Sequence, residues 1–542
     1  MEPEFDAVVI GAGFAGLYML HRLRKLGMRA VVLEQGDGVG GTWYWNRYPG
    51  ARCDSESYYY CYSFSKELEQ EWTWTERYPS HPEIRAYLEH VTDRFGLRED
   101  IRFGVRVTGA GFDEDTRTWT VDSTSGELRC RFLITAVGCL STANVPDIPG
   151  LDSFDGRWFH TGRWPHEGVD VRGRRVGIVG TGSTGIQAIP VVAEQAAHLT
   201  VFQRTANYSI PARNGPLAAA ESDAYKRDYA EIREVQANST NGHPFVVSTQ
   251  SALEPEPAER ERIYADAWER GGLRFRAAFS DVLADADANE TASDFIRDRI
   301  REVVDDPETA EKLVPTDHGF ATKRPPIDTH YFETYNRDDV ELVDVRATPI
   351  EEIVPEGVRT SDGVYELDDI VFATGFDALT GPLLGLNLTG SDGTSLRELW
   401  TYGPRTYLGL GIHGFPNLFT ITGPFSPSVL TNMPTSIEQH VDWIARCLEH
   451  LRAQGVDRIE AERSAEIAWA EHTQEAADAT LLPRASSSWY LGANVPGKPK
   501  VFMPYAGGFA RYTRTCDEVA TDGYRGFVLT PAGRPADEAL AG

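Results

Sequence analysis

The chain opens on an unbroken apolar run, Ala7 to Ile10, that ends in a glycine-rich turn. Apolar residues without polar alternation mark a strand covered on both faces, as in a parallel sheet. Leu17, Leu20, Leu23 and Leu26 then recur at helical spacing, and AVVLE (30–34) returns to strand. Gly11, Gly13 and Gly16 stand in G-x-G-x-x-G spacing between the first strand and the helix. That pattern predicts a tight turn, close backbone approach to a pyrophosphate, and close packing of helix on sheet. The helix N-terminus offers unpaired N–H groups to the diphosphate. Glu34, roughly twenty residues on, is placed to accept from both ribose hydroxyls.

The same alternation of strand, turn, helix and strand recurs in RRVGIVGTGSTGIQAIPVVAEQAAHLTVFQRT, with Gly180, Gly182, Ser183 and Gly185 at the turn. Here the second strand ends in Gln203, Arg204 and Thr205, with no acid. Loss of the carboxylate and gain of a guanidinium suit a ribose bearing a 2′-phosphate. The alternative for Arg204 is a solvated strand-end charge. Together the two units predict FAD in the first and NADP in the second.

Between them, residues 110–123 alternate and residues 130–140 run apolar, which predicts a strand insertion returning to the first sheet. LITAVG (133–138) and IVFATGFD (370–377) are similar strand-to-glycine exits, where the chain would cross between the two nucleotide domains. From Leu217 to Val314 the pattern becomes charge-rich helix; Ile296, Ile300, Val303 and Val304 share one face, and Asp-Pro follows as a stop. The expectation is an α/β protein with two dinucleotide-binding, Rossmann-like domains. The FAD-binding domain would take 1–140 and 375–542, the NADP-binding domain 141–216 and 327–374, and a helical insertion in the second domain 217–326. The Pro/Ala/Gly-rich tail after Thr530 is expected to fray.

Composition narrows the setting. A net charge of −28 over 542 residues argues against nucleic acid or an anionic membrane surface as partner. Six scattered cysteines show no CxxC and no His/Cys cluster, which suits thiols packed in a reducing cytoplasm and gives no metal site. The start, MEPEFDAVVIG, has no basic n-region, and no apolar run is long enough to span a bilayer. The sequence is compatible with a monomer and specifies no oligomeric state.

Two longer patterns identify a family. F-x-G-x-x-x-H-x-x-x-W-P is matched by Phe154, Gly156, His160, Trp164 and Pro165. GG-x-W-x4-YPG-x3-D is matched by Gly40, Gly41, Trp43, Tyr48, Pro49, Gly50 and Asp54. Both resemble type I Baeyer–Villiger monooxygenases, and the order of elements fits along essentially the whole chain. FQRTANYSIPARN, GPRTYLGLG, SWYLGANVPGKP and FMPYAGGF look most like the phenylacetone and steroid monooxygenase branch.

The resemblance implies an FAD enzyme that uses NADPH and O2 to turn ketones into esters or lactones through a flavin C4a-peroxide. Bulky, aryl or steroid-like ketones are the implied substrates. The fingerprint would be a hinge in which His160 couples the two domains, against the alternative of a satisfied core histidine. A fixed guanidinium can hold the peroxide deprotonated and stabilise the oxyanion of the adduct. Arg324, in TKRPP, matches the family's catalytic arginine, with Asp54 holding it by a charge-assisted bond; a surface salt bridge is the plain alternative. Lys323 matches a cation for the 2′-phosphate, beside Arg204 and Thr205, although KR is also a common solvated dipeptide. Trp489 resembles a donor to the nicotinamide ribose side, with a core tryptophan as the alternative. Gly41, Thr42 and Trp43 would line the FAD side. The loop GPFSPSVLTNM would shape the ketone pocket through Phe425, Ser428, Val429, Leu430 and Met433. Related enzymes carry glycine where this chain has Phe425, so a phenyl ring there changes the pocket or the loop. The rival readings are an N- or S-oxygenating flavoprotein, a disulfide reductase lacking its cysteine pair, and a non-catalytic nucleotide sensor.

Overall fold

In the computed structural model, which describes residues 3–533, the two apolar runs open two separate sheets. The first is eight-stranded. At its centre Phe5–Ile10 lies parallel between Ala30–Leu33 and Gly126–Thr135; Ile101–Arg102 and Leu418–Thr420 extend the parallel part on either side. Val107–Asp113 and Thr118–Ser123 form the expected antiparallel meander, which rejoins the sheet through Gly126–Thr135. Periodicity follows burial: every residue of Ala30–Leu33 is buried, whereas Val107–Asp113 alternates between buried and more open positions.

The second sheet has five strands, all parallel, in the order Val340–Asp344, His198–Gln203, Arg175–Val179, Asp369–Phe372, Arg157–His160. Residues of the fingerprint thus form its edge strand, with His160 opposite Phe372. Helices Phe14–Lys25 and Ser183–Ala193 follow the two glycine turns. Each sheet has its own large core, one holding Val9, Leu17 and Trp443, the other Ile178, Ile186 and Ile296.

Helices Ala219–Asn238, Pro257–Arg270, Ala286–Val303 and Pro307–Leu313 make up the charged middle of the chain. Ile296 and Ile300 are fully buried and Val304 nearly so, while Val303 is only partly covered. The Asp-Pro stop also starts the next helix: Asp306 Oδ2 accepts from Thr309 N at 2.9 Å. Of the Pro/Ala/Gly-rich tail after Thr530, only residues 531–533 are described. Phe527–Pro531 pairs antiparallel with Val456–Ala461, so the chain is held through Pro531 by a ladder that its composition hides; residues 534–542 lie outside the described part. All six cysteines are free and buried. Among the described residues no helix is long and apolar enough to cross a membrane.

Candidate active site

The first glycine turn leaves a hollow at its helix terminus. A Cβ on Gly13 would meet Gly41 Cα at 3.3 Å, so two backbones approach each other with no side chain between them. Helix Phe14–Lys25 has no side-chain cap and no acid in its first turn, which keeps its leading N–H groups free for an anion. Glu34 is buried, and its carboxylate accepts from Ala12 N at 2.7 Å and Gly36 N at 2.8 Å. Burial raises its pKa, against the lowering effect of those backbone donors. The fixed carboxylate fits the ribose of a flavin dinucleotide. Thr42 is exposed beside Gly41, and Trp43 is buried, its indole donating to Tyr60 OH at 3.3 Å.

The second turn is built alike. Gly180 has φ +111° and a Cβ there would lie 2.6 Å from Ala373 O, while around Gly182 there is open space. Ser183 begins a helix that again has no acid in its first turn. At the strand end, buried Gln203 spends its amide on Lys312 O, and exposed Arg204 has no carboxylate partner. Thr205 Oγ1 accepts from Arg346 at 3.0 Å, and Arg346 also pairs with Asp317. Lys323 is partly buried and has no ion-pair partner among the described residues; burial lowers its pKa, Asp317 works against that, and Arg346 and Arg204 add to it. Three cations around one carboxylate make a site short of negative charge, which fits a phosphate. The sequence analysis did not find Arg346. It follows the strand that pairs beside His198–Gln203, and only sheet order brings it to Arg204.

Asp54 and Arg324 meet across the molecule. Arg324 Nε and Nη2 donate to the two Asp54 oxygens at 2.6 and 2.8 Å, and Nη1 donates to Val429 O at 2.6 Å. The pairing is bidentate and the side chains are only about a quarter exposed, at 24% and 21%. Burial lowers the pKa of Arg324, but Asp54 outweighs it and raises the guanidinium well beyond its usual range. Asp54 in turn stays ionised: burial raises it and Arg324 lowers it by more. Tyr490 also approaches the Arg324 guanidinium by a side-chain hydrogen bond. Tyr490, Arg276 and His243 crowd the pair. Burial, then Arg276 and Arg324, push His243 well below its usual pKa, so it is neutral. These three are further residues that spacing did not reveal.

The YPG turn explains why Asp54 arrives there. Tyr48 OH donates to Gln187 Oε1 at 2.8 Å, Gln187 Nε2 donates to Arg52 O at 3.1 Å, and a Cβ on Gly50 would lie 2.2 Å from Gln187 O. The loop that follows the first nucleotide turn is therefore seated on the helix of the second.

The pocket loop divides. Val429 is buried in a cluster with Cys139, Leu379, Tyr490 and Met503, and Leu430, Met433 and Trp489 pack against it. Ser428 is fully buried and its hydroxyl faces Thr422 O at 3.4 Å. The Trp489 indole N–H has no protein acceptor among the described residues, and its ring lies 4.5 Å from that of Tyr490. Phe425 is the correction. Its ring is 3% exposed and belongs to the core under the first sheet, not to the Val429 cluster. Its backbone has φ +68°, the left-handed region that favours glycine, so a glycine at this position has a backbone reason.

In the fingerprint, His160 is 2% exposed, accepts from Gly162 N through Nδ1 at 3.0 Å, and stacks edge-on against Phe376. Burial and Arg163 lower its pKa to about 4. Nearby, Asn144 N donates to Gly375 O and Thr374 Oγ1 to Asn144 O, tying together the two strand exits. A Cβ on Gly156 would lie 2.4 Å from Asp368 O, Phe154 packs against the smaller core beside Phe372, and Trp164 is buried in the second core, followed by partly buried Pro165.

Comparison with known proteins fits this geometry. A family model described as pyridine nucleotide-disulphide oxidoreductase matches residues 8–239. A Baeyer–Villiger monooxygenase of Pseudooceanicola batsensis is 44% identical over 530 residues, covering 97% of this chain and 96% of its own. The chain belongs to the Baeyer–Villiger monooxygenases. A solved steroid monooxygenase bound to NADP is similar to this one at TM-score 0.93 and 53% identity, covering 97% of this chain and all of its own. A phenazine N-monooxygenase of Lysobacter antibioticus is also 44% identical, over 97% of each chain. A Baeyer–Villiger monooxygenase needs no redox cysteine pair, which accords with six separate buried thiols.

Proposed function

We propose that this enzyme oxidises ketones carrying a ring or other bulk, and that Arg324 and Asp54 carry the chemistry of the ketone carbon. The chain is a flavin-dependent monooxygenase with FAD and NADPH as cofactors, converting ketones to esters or lactones. When bound, FAD supplies oxygen activation and NADPH the hydride. Everything else is set by the protein's own groups. The Gly11–Gly16 turn, Glu34 and Gly41 to Trp43 would hold FAD; the Gly180–Gly185 turn with Arg204, Thr205, Lys323 and Arg346 would hold NADPH by its 2′-phosphate. On this reading residues 1–140 with 375–542, 141–216 with 327–374, and 217–326 are the FAD-binding, NADP-binding and inserted units.

The bidentate Asp54–Arg324 pair carries the proposal. Inserting oxygen beside a carbonyl requires a fixed cation where negative charge develops on the ketone oxygen, and Arg324 stays charged at any working pH. Val429, Leu430, Met433 and Trp489 give the ketone an apolar surface beside it. The buried thiols and the net charge of −28 support a cytoplasmic enzyme that acts on small molecules and not on nucleic acid.

Arg324→Ala is expected to leave reduction of FAD by NADPH intact and to lower ester formation about a hundredfold or more. Product chromatography on a ketone panel, with purified enzyme, FAD and NADPH, checks both. N- or S-oxides without any ester would favour the phenazine-type reading and remove this one.

A further inference from the structure

The loop that delivers Val429 O to Arg324 is strained. Thr422, Phe425 and Ser428 all have positive φ, at +57°, +68° and +42°, and none is glycine. Such a conformation is costly for a residue with a side chain and persists only where its surroundings over-determine it. The clamps at Phe425 are plain: Phe425 N donates to Met503 O at 2.7 Å, and the Trp469 indole donates to Phe425 O at 2.9 Å. Ser428 is tied back to Thr422 O by its own hydroxyl. The clamp at Thr422 is different, because it is a histidine.

His440 stands in helix Met433–Gln454 and is completely buried. Its Nδ1 accepts from Thr422 N at 3.0 Å, and its Nε2 lies 2.8 Å from Tyr512 OH. Tyr512 OH donates to Leu408 O at 2.6 Å, so the Nε2 proton must point at the Tyr512 oxygen. Every polar atom of the pair is satisfied and one tautomer is fixed. Burial pushes the pKa of His440 to about 3, so it stays neutral and an acceptor at working pH.

We infer that His440, set by Tyr512, is a positioning residue for Arg324, acting through the strained loop from Thr422 to Val429. The path is continuous: Leu408 O, Tyr512, His440, Thr422 N, the strained turn, Val429 O, and Arg324 Nη1. The inference rests on the catalytic reading of Arg324. It gives a buried histidine, well away from the ketone carbon in sequence and on another helix, a role in the reaction.

The test uses FAD-loaded enzyme and three variants. His440→Leu removes the acceptor, His440→Gln keeps one, and Tyr512→Phe removes the hydroxyl that orients the ring. Ester formation in His440→Leu should fall about tenfold to a hundredfold, as expected for a displaced catalytic group. Reduction of FAD by NADPH and the KM for NADPH should hold, and the uncoupled fraction of NADPH oxidation, read as hydrogen peroxide, should rise. His440→Gln should recover most of the coupling, and Tyr512→Phe should show the same pattern in weaker form. A crystal structure of the Leu variant should show Arg324 Nη1 off Val429 O. Wild-type coupling in His440→Leu, or equal losses in FAD reduction and ester formation, overturns the inference. If the Leu variant does not fold, Tyr512→Phe decides by the same readings. Should Arg324→Ala itself still form ester, the catalytic reading fails and this one with it; should only the histidine variants stay silent, this one fails alone.

Discussion

A Cβ on Gly16 would lie 1.8 Å from Gly11 O, and one on Gly185 would lie 2.1 Å from Gly180 O. The two nucleotide turns thus press helix onto strand in the same way, and neither helix carries an acid in its first turn. They part at the end of the second strand. In the first unit a buried carboxylate is fixed by two backbone donors; in the second a glutamine is spent on the backbone, and Arg204, Lys323 and Arg346 gather near the single carboxylate of Asp317. On the proposed reading, backbone geometry suits a dinucleotide in both cases, and charge at one point distinguishes them.

The strongest way to separate the halves is to spoil one turn at a time. Gly16→Ala should abolish FAD incorporation, read by flavin absorbance, whereas Gly185→Ala should keep FAD and slow its reduction by NADPH about a hundredfold or more. Loss of FAD from both variants would mean that the halves fold as one unit.

Phe425 belongs to the first half alone, as a glycine-like backbone position filled by a core ring. Phe425→Gly should relieve the left-handed strain yet lose more in the core, lowering stability by roughly 2–4 kcal/mol in denaturant titration. The ranking of bulky against small cyclic ketones in kcat/KM should not move. A changed ranking would put the ring back in the pocket.

The charge contrast is sharpened by Arg204→Ala, Lys323→Ala and Arg346→Ala. Each should raise the KM for NADPH about ten- to a hundredfold and spare that for NADH. Equal use of the two coenzymes by the unchanged enzyme would refute the phosphate assignment.

The smallest expected effect is on pH. Burial lowers His21 and His81 to about 4 and His440 to about 3 in the first half, and His160 to about 4 at the crossing. The unfolded chain takes up these protons near the ordinary histidine pKa of 6.5 and the folded chain does not, so the stability contribution is whole above 6.5. It declines as pH falls from there toward 4, by up to about 1.4 kcal/mol per pH unit for each fully buried histidine. Flavin fluorescence should therefore rise on acidification through this window, and His440→Gln should blunt the rise. An unchanged midpoint in that variant would show that His440 does not contribute.

What the sequence made legible was whatever local spacing controls. Apolar runs, glycine spacing and the acid or base at position 34 or 204 specify two nucleotide units within about thirty residues each. Asp54 and Arg324 were legible only through the family patterns, since no periodicity links two residues so far apart. Arg346 depends on strand order in the second sheet, and the Val429 carbonyl on backbone geometry. The place of Phe425 was hidden for the same reason: a loop motif gives neighbours in sequence, while packing puts the ring in the core under the first sheet. His440 gave no signal, being one of several polar residues, with Ser436 and Glu438, on the buried side of its helix.

The seating of Gly50 on Gln187 bears on how such enzymes can be recombined. A backbone contact with no room for a methyl group is a joint cut to fit, and its two partners follow different glycine turns, more than a hundred residues apart in the chain. Grafting a foreign NADP unit onto this flavin unit would carry in a new helix surface at 187 while leaving the 48–54 turn unmatched. The mismatch would reach Asp54, and through it the guanidinium. Chimeras should therefore exchange the 48–54 turn together with the 183–193 helix, treating them as one inherited part.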